Sequence, residues 1–423
     1  MIIDAIVAGA GIWGCTVARR LAELGRKVLV LEKRPVVGGN VRCEIDEETG
    51  IEIHKYGSHI FHTHIPEVWE FVNRFVQFNG YQHKVLACTK CTPEVEKRGG
   101  GGERMFYLPL GLSLINKFFN VELKPSEVQT FLDDPNPEGI PSTSTSTLNL
   151  PPRRAAIFDA FFRGYTSKQW GKSPEEIDPS IIKRVPVRNS YDINYFNDYW
   201  QGIPTEGYNA LFERMLDHEN ITVWCDSELV LSDATSTDSN RAVGCIQPGV
   251  GTPNRSKFCV RRKASALQEL PEAPIYYSGP IDALFNYKHG ALPWRTLRFE
   301  IERVPVADAQ GTSVVNYVDA DVPFTRQHEF KHYHPEPVGP LSQAESIKSG
   351  KETILMHEYS ATWNLGDEPY YPVNNAESAA LLKKYQDEAA KISNLVIGGR
   401  LGQYKYFDMD KSIQAALELK LEV

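Results

Sequence analysis

The first 34 residues carry the pattern that most narrows what this chain can fold into. IIDAIVAG, residues 2–9, reads as a strand and runs into Gly9, Gly11 and Gly14, a GxGxxG turn. GIWGCTVARRLAELG follows, with Val17, Leu21 and Leu24 at helical spacing and Gly25 where a helix C-cap belongs. RKVLVLEKR supplies a second strand that ends at Glu32. Each position has a physical task. Gly9 permits the tight turn, Gly11 lets the backbone approach a pyrophosphate, and Gly14 lets helix and strand pack closely. The helix N-terminus offers oriented N–H groups and partial positive charge, and Glu32 can accept hydrogen bonds from a ribose. A lone GxGxxG is weak, but this βαβ context predicts a dinucleotide site.

Two further glycine turns favour FAD over NAD. Gly38, Gly39 and Asn40 follow the second strand, where the longer cofactor passes. Gly398, Gly399 and Arg400 precede a late helix whose N-terminus suits the electron-rich pyrimidine end of a flavin. With 423 residues the chain is long enough for two or three domains. A net charge of -8 argues against a nucleic-acid partner, and an anionic substrate would need a local cluster of arginines. Of seven cysteines only Cys88 and Cys91 form a CxxC pair, which points to ordinary reduced thiols and no metal site. The N-terminus lacks a basic leader, and no apolar run is long enough to span a membrane, so a cytoplasmic protein is expected.

Along the chain, PEVWEFVNRFVQ (66–77) is amphipathic with Pro66 at its start. Residues 96–104 and 133–152 read as loops, and 231–265 as a surface excursion. RTLRFEIERV, SVVNYVDAD and ETILMHEYS alternate by twos, as strands of an antiparallel sheet do. The end, NLVIGGR and then DMDKSIQAALELKLEV, returns to strand, turn and helix. The fold class expected is α/β: a discontinuous Rossmann-like FAD-binding domain with an inserted helical domain and an antiparallel β-sheet domain. The boundaries expected are 1–80, 202–285 and 390–423 for the FAD domain, 105–183 for the helical one, and 184–201 with 286–389 for the sheet.

HKYGSHIFHTH, residues 54–64, holds four histidines, and spacing alone leaves a metal site, a base cluster or a cofactor-facing loop open. A metal triad of His59, His62 and His64 is disfavoured because no carboxylate stands nearby at ligand-like spacing. Elsewhere arginines sit among aromatics: FFRGYTSKQWG (161–171), IIKRVPVR (181–188), NYFNDYWQG (194–202), DVPFTRQHEFKHYHPE (321–336), GDEPYYPVN (366–374) and GGRLGQYKYFDMD (398–410). With HKYGSHIFHT, these motifs resemble, in order and nearly from end to end, the UDP-galactopyranose mutases, FAD-dependent enzymes of bacterial galactofuranose synthesis.

The resemblance implies roles at matching positions. Phe161 and Tyr165 would border uracil, and Trp170 the sugar and uridine. Arg184 would close on the diphosphate and Arg326 anchor it. Tyr195, Tyr371 and Tyr406 would bond the phosphates, with Asp408 beside them. Arg295 and Arg400 match arginines of the cleft and flavin edge, Met409 a further flavin contact. His59 would lie beside flavin N5 and His62 near the sugar. Residue chemistry agrees, since arginine forks suit phosphate oxygens and tyrosines add neutral donors.

The implied reaction interconverts UDP-galactopyranose and UDP-galactofuranose. A reduced, noncovalent flavin attacks the anomeric carbon through N5, UDP leaves but stays bound, and the flavin–sugar adduct opens and recloses through the other hydroxyl. An external reductant such as NAD(P)H and a homodimer or higher homo-oligomer go with this reading. Three rivals stay open: an FAD oxidoreductase of the amine-oxidase type, a related mutase for a 2-acetamido or 6-deoxy nucleotide sugar, and a non-catalytic flavin- or nucleotide-sugar-binding protein. No Ser-His-Asp set stands out in the sequence.

Overall fold

The computed structural model describes residues 2–90, 104–137, 150–172, 187–232, 257–262, 268–334 and 351–421. Arg184 and Cys91 lie outside them, as does most of the 96–104 loop. The opening pattern folds as expected into β1 (Ala5–Ala8), the helix Ile12–Glu23 and β2 (Val28–Leu31). Gly25, at φ +81°, ends that helix: Gly25 N–H donates to Ala22 O and Arg26 N–H to Leu21 O.

β1 and β2 are central in a five-stranded parallel sheet. β9 (Ile221–Trp224) pairs with β2, β13 (Ile275–Tyr277) with β1, and β19 (Leu395–Ile397) with β13. The strands come from three distant stretches of chain, so the Rossmann-like unit is discontinuous. All four residues of β1 and of β2 are buried, as in a parallel sheet covered on both faces. One face packs Val7 and Val30 against Val17, Leu21, Phe212 and Ile413; the other packs Ile6, Leu29 and Leu31 against Ile281, Leu284 and Tyr385.

A seven-stranded sheet stands beside it. β18 (Tyr371–Pro372), β14 (Trp294–Val304), β17 (Thr353–Thr362), β16 (Arg326–Glu329) and β15 (Val314–Tyr317) are antiparallel neighbours in that order. The order continues into β6 (Val85–Thr89), parallel to β15, and β7 (Arg104–Leu108) at the edge. β7 corrects one expected boundary, which put residues from 105 into the helical segment. RMFYL instead turns Phe106 inward and pairs along Val85–Thr89.

Three small sheets complete the strands. β3 (Cys43–Ile45) pairs with β4 (Glu52–His54), and β5 (Phe61–Thr63) with β8 (Trp200–Gly202). β10 (Ser227–Ser232) and β11 (Lys257–Arg262) pair from Ser227↔Arg262 inward, with β12 (Gln268–Glu269) alongside. The flanks of the expected surface excursion are thus strands.

The helices Leu112–Phe119, Val128–Asp133, Pro152–Phe158 and Gly164–Trp170, with a π-helical turn at Asp159–Arg163, enclose a separate core of Leu112, Ile115, Phe118, Val128, Leu132 and Phe161. Pro66 begins its helix, which ends at Asn73, short of the expected 77. Among the described residues no helix is long and apolar enough to cross a membrane.

Candidate active site

A cavity of about 700 Å³ runs from the glycine turn at β1 to the faces of β16 and β17, within the size range of small-molecule sites. Its first end is a cradle of backbone. A Cβ on Gly14 would lie 1.9 Å from Gly9 O, so only glycine lets the helix sit this close to the turn. Gly39, at φ +57°, passes so near that its Cβ would come 3.0 Å from Gly11 Cα. Gly9, Gly11, Gly38, Gly39 and Asn40 all line the cavity at the N-terminus of the Ile12–Glu23 helix. Glu32 is held by the N–H groups of Ala10 (2.8 Å) and Arg34 (3.0 Å), and each carboxylate oxygen keeps a lone pair for a ligand. The Arg34 guanidinium donates to Asn40 Oδ1 and Glu368 Oε2 and lies over the Tyr56 ring, while its Nη1 is buried without a partner.

That orphaned donor, the paired glycine backbones and the helix N-terminus fit the anionic linker of a dinucleotide. Further along, Arg400 leaves Nε and Nη2 buried and unpartnered, with its guanidinium 5.4 Å from the Tyr371 ring centroid and 5.0 Å from that of Tyr406. The two rings stack on each other at 6.0 Å. Asp408 and Met409 line the cavity at the start of the Met409–Leu417 helix.

The histidine loop forms one wall. His59 Nδ1 donates to Gly57 O (2.7 Å), which leaves Nε2 as an acceptor. Burial drives its pKa down to about 4 against the pull of that bond, with Arg400 adding repulsion. It is a neutral imidazole. His54 packs behind the wall, stacked on Tyr333 at 5.0 Å, and its Nδ1 accepts the His59 backbone N–H (3.0 Å). His62 stacks on Phe196 at 3.7 Å, and its Nδ1 bonds Asp198 Oδ2 (2.7 Å), while His64 takes the other oxygen (2.9 Å). Asp198 is the carboxylate the sequence did not reveal beside these histidines, and it arrives on the chain preceding β8.

Among the described residues two other clusters gather ligand-type atoms: Cys43, Glu52 and His54, and Asp308, Glu329 and His332. In the first, Nδ1 of His54 is occupied by an N–H, so the ring proton falls on Nε2, which suits no metal. In the second, the Lys331 ammonium already stands at both carboxylates.

The opposite wall carries Arg326. Its Nη1 is 3.5 Å from Glu358 Oε1. Burial alone would raise the Glu358 carboxyl, but Arg326 and a hydrogen bond from His328 bring it down to about 2. Tyr165, whose ring centroid is 5.9 Å from the Arg326 guanidinium, has a buried, unpartnered hydroxyl. Gln169 Oε1 is unpartnered too, and Trp170 and Tyr195 line the same space. Behind the wall, Lys168 Nζ donates to the carbonyls of Tyr317, Asp319, Val322 and Phe324, tying the Gly164–Trp170 helix to the chain that leads into Arg326. Burial lowers the Lys168 pKa to about 8.

Two expected substrate residues are corrected. Arg295 does not line the cavity. Its Nε donates to Gln169 O (3.0 Å), Nη2 to Lys168 O and Ser360 Oγ, and Nη1 to Thr362 Oγ1, so the guanidinium caps the end of the Gly164–Trp170 helix. Phe161 is a core residue, packed edge-on against Phe106 and Phe118, because its helical face points away from the cavity. In the other direction, the sequence reading missed Glu358, Ser58, His328, Arg34 and Asp198. Glu358 had a signal, a carboxylate inside a strand whose other residues are mostly apolar. His328 and Ser58 had none, since their contact spans 270 residues. It belongs to a hydrogen-bonded Ser58–His328–Glu358 chain that the fold assembles.

Comparison with known proteins bears on this geometry. A family profile described as UDP-galactopyranose mutase matches residues 160–406, and one for an NAD(P)-binding Rossmann-like domain matches 7–75. The chain is 34% identical to a "Probable UDP-galactopyranose mutase" of Klebsiella pneumoniae, over 98% of this chain and 92% of the relative. It is 32% identical to a dTDP-fucopyranose mutase of Escherichia coli, over 98% and 96%. A crystal structure of reduced UDP-galactopyranose mutase shares the fold, with a TM-score of 0.62 at 17% identity over 99% of this chain and 94% of that one. The glycine cradle and the matched sequence agree: the chain belongs to the UDP-galactopyranose mutase family.

Proposed function

We propose that this chain is a flavin-dependent mutase that interconverts UDP-galactopyranose and UDP-galactofuranose, using noncovalent FAD in its reduced state. The observation that carries the reading is a single cavity with a dinucleotide cradle at one end and a fixed cation, Arg326, among tyrosines at the other. Gly9, Gly11, Glu32, Gly38, Gly39 and Asn40 would hold FAD, with Gly14 closing the turn behind them. His59, Arg400 and Met409 would stand at its ring system.

When bound and reduced, the flavin supplies a nucleophile for the anomeric carbon, so the sugar can rearrange without net oxidation. The remaining tasks fall to the chain's own residues. Arg326, held by Glu358, balances the charge that develops on UDP as it leaves and keeps it in place for recapture. Tyr195, Tyr371 and Tyr406 add neutral donors, with Asp408 beside them. Tyr165 and Trp170 would flank the uridine and sugar, and Arg184 would close over the diphosphate. His62, fixed by Asp198, would orient the sugar, and His59 would act by position and hydrogen bonding. On the same reading the enzyme works in the cytoplasm as a homodimer or larger homo-oligomer, reduced by a donor such as NAD(P)H.

The test is kcat/KM of the reduced protein for UDP-galactofuranose against dTDP-fucofuranose. The expected result is a clear preference for the uridine sugar. A preference for the 6-deoxy sugar would reassign the substrate, and no turnover of either would overturn the mutase reading.

A further inference from the structure

A hydrogen-bond chain behind the histidine loop runs from Tyr333 through Ser58 and His328 to Glu358. Tyr333 Oη donates to Ser58 Oγ at 2.5 Å, so Ser58 turns its own proton to His328 Nδ1, 2.6 Å away. With Nδ1 accepting, the neutral imidazole carries its proton on Nε2, 3.2 Å from Glu358 Oε2. Tyr333, His328 and Glu358 are almost fully buried and Ser58 is half-buried; Ser58, His328 and Glu358 all line the cavity, Ser58 beside His59. A hydroxyl oxygen has two lone pairs; Tyr333 uses one, and the second is available to a ligand hydroxyl.

We propose that Ser58, His328 and Glu358 are the proton relay of the mutase. Ring closure needs a base: the attacking sugar hydroxyl must lose its proton as the new C–O bond forms. Ser58 Oγ takes that proton while its own passes to His328 Nδ1. Ring opening comes first and is the converse: His328, charged at Nδ1 by a proton from solvent, donates to Ser58 Oγ as the Ser58 proton passes to the ring oxygen and its bond to the anomeric carbon breaks. Ring closure then returns that proton to the relay. One proton moves in and one moves out, so the isomerisation balances with no oxidant and no net acid. Glu358 does not need to take the proton. As a carboxylate it steadies the imidazolium that forms, the part a buried acid plays behind a histidine base.

Among the described residues the charged and titratable groups around His328 include Arg326 on its own strand, Glu358 and His357 from β17, His54 and His59 from the loop, His83, and Tyr333 through Ser58. Burial holds His54, His59 and His83 neutral. Only Glu358 among these neighbours offers a negative charge to a protonated His328.

The relay rests on the mutase reading, so its test is built to separate the two. In His328→Gln the side-chain carbonyl can still accept from Ser58 and the amide can still donate to Glu358, but no proton can pass. In Ser58→Ala the hydroxyl that would meet the sugar is gone while His328 stays on Glu358. Both variants are expected to retain flavin absorbance and parent-like UDP affinity. Their kcat should fall about 100-fold or more, and the shape of the kcat–pH profile should change. Parent-like kcat with an unchanged pH profile in H328Q would reduce His328 to a positioning residue and overturn the relay alone. If H328Q loses its flavin, S58A decides by the same two readouts. A parent protein that turns over neither UDP-galactofuranose nor dTDP-fucofuranose would overturn the mutase reading and the relay together.

Discussion

The Arg326 guanidinium is about one-third exposed (31%), while Glu358, 3.5 Å away, is shut off from solvent (2%). The carboxylate therefore grips the guanidinium from inside the sheet and leaves the rest of its fork to the cavity. Fixing a cation in this way costs little reorganisation when a diphosphate arrives.

Removing that cation should weaken substrate capture without loosening the flavin. Arg326→Ala is expected to cost about 2–4 kcal/mol of transition-state binding, about 30- to 1000-fold in kcat/KM. Lysine should rescue only part of this, because a point charge cannot reproduce a fork. Steady-state kinetics with flavin content measured alongside checks it; an R326A protein at the parent rate would remove Arg326 from the phosphate site.

At the other end of the cavity, Gly11→Val should abolish flavin binding and leave a folded protein. A Cβ there meets only Gly39 Cα, at 3.9 Å, so the fold tolerates the change, but the branched side chain fills the channel between the two glycines. Absorbance near the flavin bands and circular dichroism measure the two effects separately. Full FAD occupancy in G11V would contradict the cradle.

Arg295 should behave as a structural residue. Arg295→Ala removes its bonds to Lys168 O, Gln169 O, Ser360 Oγ and Thr362 Oγ1 and leaves the helix end uncapped. A loss of about 1.5–3 kcal/mol is expected, read as a lower Tm, with UDP affinity falling less than in Arg326→Ala. An unchanged Tm with lost UDP binding would return Arg295 to the substrate site.

The contrast between these two arginines shows where sequence reasoning stops. The β1–helix–β2 unit was legible because turn, helix and acceptor lie within 34 consecutive residues and each glycine answers a local steric demand. Arg295 and Arg326 both sit among aromatics in alternating strands, and nothing local separates them. What does is the partner: Gln169 O, 126 residues away, claims one, and the cavity the other. Phe161 was misread for a related reason, since motif position does not reveal which helical face meets Phe106 and Phe118. The Asp198 bridge and the Ser58–His328 contact are products of long-range packing between β5 and β8 and across the loop, invisible to spacing.

Buried neutral histidines should make the protein acid-sensitive. The folded pKa of His59 is lowered to about 4 and that of His83 to about 3, chiefly by burial, and His54 is lowered as well. Between pH 6.5, their ordinary value, and 3–4 the unfolded chain binds more protons than the folded one. Stability therefore falls as pH drops through this window and levels off below it. His83→Gln should flatten part of that slope in Tm measured against pH; an unchanged slope would mean His83 does not titrate in this way.

The most direct measurement compares turnover of UDP-galactofuranose by dithionite-reduced and strictly oxidised protein under anaerobic conditions. UDP-galactopyranose should form with the reduced protein, without net consumption of reductant, and little or none with the oxidised one. Equal rates in the two states, or product formation that consumes reductant stoichiometrically, would contradict it.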